Sequence, residues 1–598
     1  MSWGERVHRV KEAYLRRTVQ LDTPVSINEA NQLFSPVDVT ELINLADVEF
    51  CTSRPAHSGD PIYIYSQEWP LDSTGMPVWH QLLNGTDTAS TPTFKVQYRN
   101  SEDLKDDVRI NWELNRLTWL IPVAVHAKRT GNDEVKQYVV QALESFLNAD
   151  RVGYSSRWSS SIELAMQSLS LVIVGSLIDV ASTHAQLHSQ LSGALVRRFE
   201  WIDRFPSKYS SANNHLLAEL AALSVLSAVI PSLHSTHNKH LNNFLKTATA
   251  QFNDDGLNAE LATDYHLYAL DLLISVLYLG NEAHDKQLSS LIQKVAQATN
   301  DVVEFCGFWP RISDSDHAAV LSNVVPEQDR ALWLSRFSEQ LLNFTLNTPS
   351  KSSLSFKDSG YTFLKSVSDS GEVLLLADHG YLGFGDIAAH AHADSAAIWL
   401  WVNRKPVLVE SGTYSYHSRD DLRDAFRSSM WHNTISINGA STSTPDGPFL
   451  WLKKKRATAS LLSISDTGMQ IEVKIPKSVA LATEASHVRK ITLNGDTVEV
   501  TDTVSATTPF TLASHLILAE EFNRVLNKDE GQIHLENTSG QGVKVSYDRA
   551  EINLEIDEIE TSATYGKLEH STRVTLNAKQ ALPMHVLKYS LSYNNVNN

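Results

Sequence analysis

The apolar residues of this chain change period once, near residue 350, and that change limits what it can fold into. Upstream they recur with helical spacing. Leu216, Leu217, Leu220, Leu223 and Leu226 make one stripe, and a denser pattern runs over 267–279. Similar patterns over 113–129, 136–147, 162–180 and 331–346 predict further helices. Several are apolar on more than one side, so they need neighbours on more than one side. Short Gly, Asn, Asp and Ser turns separate them, which predicts stacked antiparallel helix pairs without a fixed-length repeat. Downstream the spacing becomes strand-like. Segments 373–377, 398–402 and 407–409 are short β-rich runs, and 470–475 alternates with period two. In 487–504 two alternating runs flank Asn494-Gly495, a pair suited to a tight type I′ hairpin. Helices followed by antiparallel strands predict a multidomain α+β protein ending in a β-sandwich.

The 598 residues exceed one ordinary core. The expected division is an irregular N-terminal arm at 1–60, carrying Pro24, Pro36 and Pro55, a helical domain at 61–349 and a strand domain at 350–598. With 69 acidic against 51 basic residues the net charge is −18. Such a chain is a poor general binder of nucleic acid or anionic membrane, although a locally basic cleft can still take an anionic substrate. Two cysteines, Cys51 and Cys306, allow neither a disulfide framework nor a Cys-based zinc site. No run of ~20 apolar residues is present to cross a bilayer. The N-terminal MSWGERVHRVKEAYLRRT has basic residues but no apolar run after them. The expectation is a cytoplasmic protein, with the periplasm left open.

Chemistry concentrates in 390–434. His390-Ala-His392-Ala-Asp394-Ser395 is followed by Val409-Glu410-Ser411-Gly412-Thr413-Tyr414, then a loop with Arg419, Arg423 and Arg427, then Trp431-His432-Asn433-Thr434. Histidines two apart on a strand share a face. Two histidines and a carboxylate with open positions form a zinc ligand set, while 23 histidines also permit chance clustering. In the helical half, Asn213-Asn214-His215 precedes a strong helix, which either asparagine can cap. Downstream lies Glu260-Leu-Ala-Thr-Asp264-Tyr265-His266.

HAHADS, VLVESGTYSYH and WHNT, together with WELNR (112–116), RWSSSIE (157–163), NNHLLAEL (213–220), ELATDYHLYAL (260–270), HVRKITL and SATYGKL (562–568), resemble the heparinase II/III family of polysaccharide lyases. These motifs lie in family order from about residue 110 to 570. The resemblance implies an incomplete (α/α) toroid followed by a layered antiparallel β domain, with the site in the cleft between them. It implies β-elimination at C4 of a uronic acid, leaving a C4=C5 unsaturated uronate. The C5 proton is barely acidic while the adjacent carboxylate is charged, so donors must neutralise that carboxylate. The resemblance gives this role to Asn214 and His215, and the base and acid roles to Tyr265 and His390.

The same resemblance makes His392, Glu410 and His432 the ligands of a structural zinc ion; the family usually has Asp at the position of Glu410. Gln167 stands where relatives often carry Arg. Arg423 and Arg427 suit bidentate contacts to uronate or sulfate, and Glu113, Arg116, Trp158 and Tyr414 are the remaining candidates for sugar contacts. The expected substrate is a glycosaminoglycan of the heparin or heparan sulfate kind. The alternatives are an intracellular exolytic lyase of alginate or another exopolysaccharide, and a non-catalytic carbohydrate-binding protein. A homodimer is left open.

Overall fold

A computed structural model describes residues 33–96, 105, 107–349, 352–368, 371–385, 387–451, 458–477, 481, 484–522, 524–529, 531–537 and 541–595. The helical half is built from Val108–Arg116, Leu120–Thr130, Asp133–Asn148, Ser161–Leu177, Ala185–Arg204, Asn214–Val229, His237–Ala250, Thr263–Leu279, Lys286–Cys306 and Arg330–Leu342. Every residue of Ser161–Leu177 is buried, as the apolar spread around its sequence requires. Asn214–Val229 packs against that helix, against His237–Ala250 and against Thr263–Leu279. The helix expected over 113–129 is two helices. Leu117 turns into the left-handed region (φ 61°), and Pro122 falls in the first turn of the second helix. There its missing N–H costs nothing, whereas inside one continuous helix it would break the ladder.

The expected boundary at residue 60 does not separate a unit. Residues 33–60 contain the short helices Thr40–Leu45 and Val48–Thr52. Phe34, Val39, Leu42 and Cys51 are buried in the same core as Leu171 and Leu195. Gly175 makes this possible, because a Cβ there would lie 2.8 Å from Leu191 Cδ2 and 3.0 Å from the Phe34 ring. Pro24 and the rest of 1–32 lie outside the described residues.

The C-terminal half stacks three antiparallel sheets. Five strands (Ser353–Phe356, Tyr361–Ser368, Gly371–Asp378, Ile398–Val402, Lys405–Leu408) pair in chain order. A four-stranded sheet joins Ile552–Thr564, Lys567–Ala578, Leu512–Ile517 and Ile435–Ile437, and an eight-stranded sheet has Leu582–Asn595 and Thr497–Phe510 at its centre. The strand Gly371–Asp378 sends Val373, Leu375 and Ala377 into the core between sheets. Leu374 and Leu376 face Val302 and Phe305 of the last long helix but one. A strand buried on both faces reads as a continuous apolar run, which is why VLLLA shows no alternation. The expected hairpin forms with Asn494 opposite Thr497. Its central residues are Gly495 and Asp496, and only Gly495 has positive φ (61°), so the turn has the II′ rather than the I′ sense. Among the described residues no helix is long and apolar enough to cross a membrane.

The two halves are tied by buried hydrogen bonds. Tyr361 donates to the Leu261 carbonyl (2.7 Å), and Tyr565 donates to Asp107 Oδ2 (2.8 Å), the N-cap of Val108–Arg116. Beside them, His317 Nδ1 lies 3.1 Å from Asp264 Oδ2 and 2.6 Å from Glu327 Oε1. Burial pulls this imidazole down, but the hydrogen bonds to Asp264 and Glu327 outweigh it and raise its pKa to about 9. The folded value lies above the unfolded 6.5, so the stabilisation is complete below about pH 6.5 and lost as pH climbs through about 9. The difference in Tm between the wild type and His317→Gln should therefore be largest near pH 6 and should close by about pH 10. Calorimetry at both pH values checks this, and an equal gap at both would remove the imidazolium from the account.

Candidate active site

On the toroid side, a cleft of about 460 Å³ is bordered by two helix starts and one loop, together with the helix Val108–Arg116 and segments 159–163 and 205–211. Asn213 caps Asn214–Val229, its Oδ1 accepting the His215 N–H (3.3 Å), so Asn213, Asn214 and His215 all border the cleft. The first turn of Thr263–Leu279 supplies Tyr265. The segment Ser313–His317 supplies Asp316, and from the strand side come His390, Tyr416, His417 and Phe449. Ser313 (φ 63°), His317 (φ 55°), Ala388 (φ 45°) and Leu261 (φ 57°) have left-handed backbone in these same loops. Such conformations persist where surrounding contacts over-determine them, as they do at functional sites.

The four residues assigned to chemistry converge. The Tyr265 and His390 rings stack 3.7 Å apart at 20°. Tyr265 Oη donates to Asp316 Oδ2 (3.3 Å) and lies 3.0 Å from Tyr416 Oη. Burial, then the charges of Asp316 and Asp314, hold the Tyr265 phenol well above its ordinary pKa, so it keeps its proton. His390 Nδ1 meets Asp314 Oδ2 (3.0 Å), and its Nε2 meets the Asn214 amide nitrogen (3.1 Å). A carboxylate only accepts and an amide nitrogen only donates. The His390 proton is therefore on Nδ1, and Nε2 carries a lone pair. Asn214 also donates to Glu260 from its backbone (2.9 Å) and side chain (3.1 Å). Burial, then the proximity of His390 and Arg116, lowers His215 to about 3, which makes it a neutral donor.

Asp314 is the residue the sequence reading missed at the centre. Burial alone would raise its pKa. The Arg423 guanidinium, then hydrogen bonds from His390 and His392, hold it well below the usual carboxylate range. The chain around it reads SDSDH, an acidic run between helical patterns, and that alternation was the available signal. Asp316, His417 and Phe449 were missed for the same reason, lying in segments without periodicity, and Arg109 lies in the helix Val108–Arg116 just upstream of the WELNR motif.

Several expected sugar contacts lie elsewhere. Trp158 is fully buried, with Nε1 donating to Asp150 Oδ1 (2.9 Å) and its ring edge-on to Trp201. The buried Asp150 carboxylate needs donors, and Trp158 with Arg198 supplies them. Trp112 is the tryptophan that borders the cleft. Arg423 is spent on Asp314, and Arg427 is buried on the Gly447 carbonyl (2.9 Å) and Asp424 (2.9 Å). Tyr414 is half-buried against the helical core, away from the cleft lining. Arg116 does border the cleft, but it is held bidentately by Glu163 (2.7 and 2.8 Å). Glu113 sits behind it, accepting from Arg109 (2.7 Å) and Arg116 (3.2 Å).

His392, Glu410 and His432 are buried together, with one ligand atom each within 4.8 Å of one another. Their hydrogen bonds test whether they fit a cation. His392 donates from Nε2 to Asp314 Oδ1 (3.1 Å), and His432 donates from Nδ1 to the Ser428 carbonyl (2.7 Å). The other nitrogens, His392 Nδ1 and His432 Nε2, then face each other at 3.0 Å as two lone pairs. Glu410 Oε1, 3.7 Å from His392 Nδ1, is buried and accepts no hydrogen bond of normal geometry. Three converging side chains, two of them presenting imidazole lone pairs to each other, fit a metal ion. Asp264, His317 and Glu327 are also within 4.8 Å, but the His317 imidazole is held protonated there and Arg311 pairs with Glu327. That cluster is an ion pair, because a protonated imidazole nitrogen cannot ligate.

Sequence models of the heparinase II/III N-terminal region and of the heparinase II/III-like C-terminal region match residues 93–338 and 348–590. A heparin-sulfate lyase of Bacteroides stercoris is 20% identical over 370 residues, 56% of this chain and 54% of that protein, so the match spans about half the relative's length. A crystal structure of heparinase III superposes with TM-score 0.65 at 15% identity, covering 98% of this chain and 89% of that one. The heparan sulfate lyase HepC of Pedobacter heparinus (a mutant) superposes with TM-score 0.56 at 13% identity, covering 99% and 88%. These superpositions bear out the toroid-plus-sandwich fold, and with both halves matched the chain belongs to the heparinase II/III family.

Proposed function

We propose that this protein is a polysaccharide lyase that cleaves uronate-containing glycans, of the heparan sulfate kind, by β-elimination. The observation that carries the reading is a base and an acid in stacked contact. His390 Nε2 bears a lone pair while Tyr265 Oη bears a proton, and both border one cleft with Asn214 and His215. In this reading His390 Nε2 takes the C5 proton and Tyr265 Oη protonates the departing O4. His215, a neutral imidazole, and the asparagines at the helix N-terminus face the uronate carboxylate. The positive end of that helix further favours the charge that builds there. For a substrate of the other C5 configuration the two roles exchange, because the C5 hydrogen then points to the opposite face.

The ion held by His392, Glu410 and His432 is zinc in this reading. Bound there it neutralises Glu410 and braces the loop between the two histidines. The chemistry stays with the chain's own residues.

The charges of the cleft refine the substrate. Its lining holds Arg109, Arg116 and Lys208 against Glu163 and Asp316. Both arginines are already paired to carboxylates. Among the described residues Lys208 makes no ion pair, and serines 159, 160, 161, 207, 210 and 211 complete this rim. That surface suits hydroxyls and one carboxylate rather than dense sulfate.

Absorbance from unsaturated uronate should grow on sparsely sulfated heparan sulfate and grow more slowly on heparin. No growth across heparan sulfate, heparin, chondroitin, hyaluronan and alginate, as polymers and oligosaccharides, would overturn the lyase reading. Tyr265→Phe and His390→Ala should each lower kcat by about 10²- to 10⁴-fold, the usual scale for a lost acid or base; activity kept in either variant would remove that residue from its role. Elemental analysis should find about one zinc per chain, lost in His432→Ala. A wild type purified without bound metal and unable to take up zinc would refute the site.

A further inference from the structure

We infer that Asp314 is a positioning residue that holds the His390 ring at the cleft and the His392 ring in the metal cage through one carboxylate. The inference rests on the lyase reading for its kinetic arm only. Asp314 is fully buried and divides its two oxygens between the two functions. Oδ2 accepts from His390 Nδ1 (3.0 Å), and Oδ1 accepts from His392 Nε2 (3.1 Å). Arg423 closes on both oxygens, at 2.6 Å on Oδ2, and Thr413 Oγ1 donates to Oδ1 (3.1 Å). The Asp314 backbone N–H also reaches the His390 carbonyl (3.2 Å).

Each contact orients a ring. A histidine that donates from one ring nitrogen to a carboxylate presents the other as a lone pair. Through Oδ2 this sets the His390 lone pair on Nε2, where the Asn214 amide meets it at the cleft wall. Through Oδ1 it turns the His392 lone pair on Nδ1 towards His432 and Glu410. One carboxylate, itself held by Arg423 and Thr413, therefore orients the ring at the cleft and a ring of the cage together.

The test uses Asp314→Asn in the full chain. An amide offers one acceptor oxygen, so it satisfies one histidine and turns an NH2 group towards the other. The expected result is a joint loss. The kcat for heparan sulfate should fall about 100-fold with KM within about threefold, and zinc should bind about 10- to 100-fold more weakly in competition with a chelator. Loss of either alone would overturn the coupling, because Asp314 would then serve only one of the two sites. If Asp314→Asn does not fold, Thr413→Val, which removes one hydrogen bond on Oδ1 without changing charge, should lower both quantities together by a smaller factor. An independent reading uses ¹⁵N-histidine-labelled protein, with the His390 and His392 signals each assigned by their absence in the alanine variant. Both signals should move in Asp314→Asn. A change in only one of them would overturn the proposal even if no glycan is cleaved.

Discussion

The cleft depends on a charge that could not be buried alone. Asp314 has no exposure to solvent, and an isolated carboxylate there would protonate rather than stay ionised. Arg423 keeps it charged, and the histidines on either side then have a full anion to donate to. Removing one partner of such a pair costs about 3–5 kcal/mol, because the other is left uncompensated. The Arg423 guanidinium is therefore unavailable to substrate, although its sequence position between two metal ligands made it look available. It packs behind Tyr416 and Phe449 of the cleft lining, 5.0 and 5.8 Å from their ring centres, and its bidentate grip on Asp314 holds it there.

The same logic governs the arginines that do border the cleft. Arg109 pairs with Glu113 and Asp316, and Arg116 pairs with Glu113 and Glu163. Each is buried, so each needs a carboxylate in the unliganded protein. This network fixes Asp316 where the Tyr265 hydroxyl can donate to it. The positive charge of the cleft is thus shared and partly neutralised in advance. The neutral His215 imidazole and the Asn213 amide at a helix start are left to supply directed hydrogen bonds, while the Asn214 amide is held by Glu260 and His390.

Periodicity made the two halves legible, because burying one face imposes a period on any helix or strand. It also placed the helix that starts at Asn214 and the hairpin at Gly495, though not the turn's sense. The site was legible where motif and backbone coincide: Asn214, His215, Tyr265, His390, His392, Glu410 and His432 all fall where the chain brings them together. It failed where a residue's role depends on a distant partner. Trp158 and Arg427 carry chemistry suited to sugars, but a buried Asp150 and a buried carbonyl claim them. Asp314 lies 76 residues before His390 in a segment with no period, so no local pattern could announce it. Gln167 follows the same rule, since its side chain accepts from Arg198 (2.9 Å) deep in the toroid, away from the cleft lining.

The left-handed residues show how the two halves are held to one geometry. Leu261 and Ser313 belong to the toroid side, and Ala388 and Ala396 to the strand side. Each non-glycine residue in this region costs on the order of 1–3 kcal/mol, and that cost is sustained only where neighbouring contacts leave no alternative. At Leu261 the contact is the Tyr361 hydroxyl from the first sheet, donating to its carbonyl. At Ala396 it is Arg489, whose guanidinium bonds the Ala396 and Asn433 carbonyls (2.7 and 2.8 Å) while Asp502 holds it from behind. Arg489 thus clamps the end of the HAHADS segment to the WHNT segment, and so sets the spacing of His392 and His432. The strained loops are fixed from the cores on both sides. Tyr265 from one half and His390 from the other can then stack at 3.7 Å, a contact that neither half could make alone.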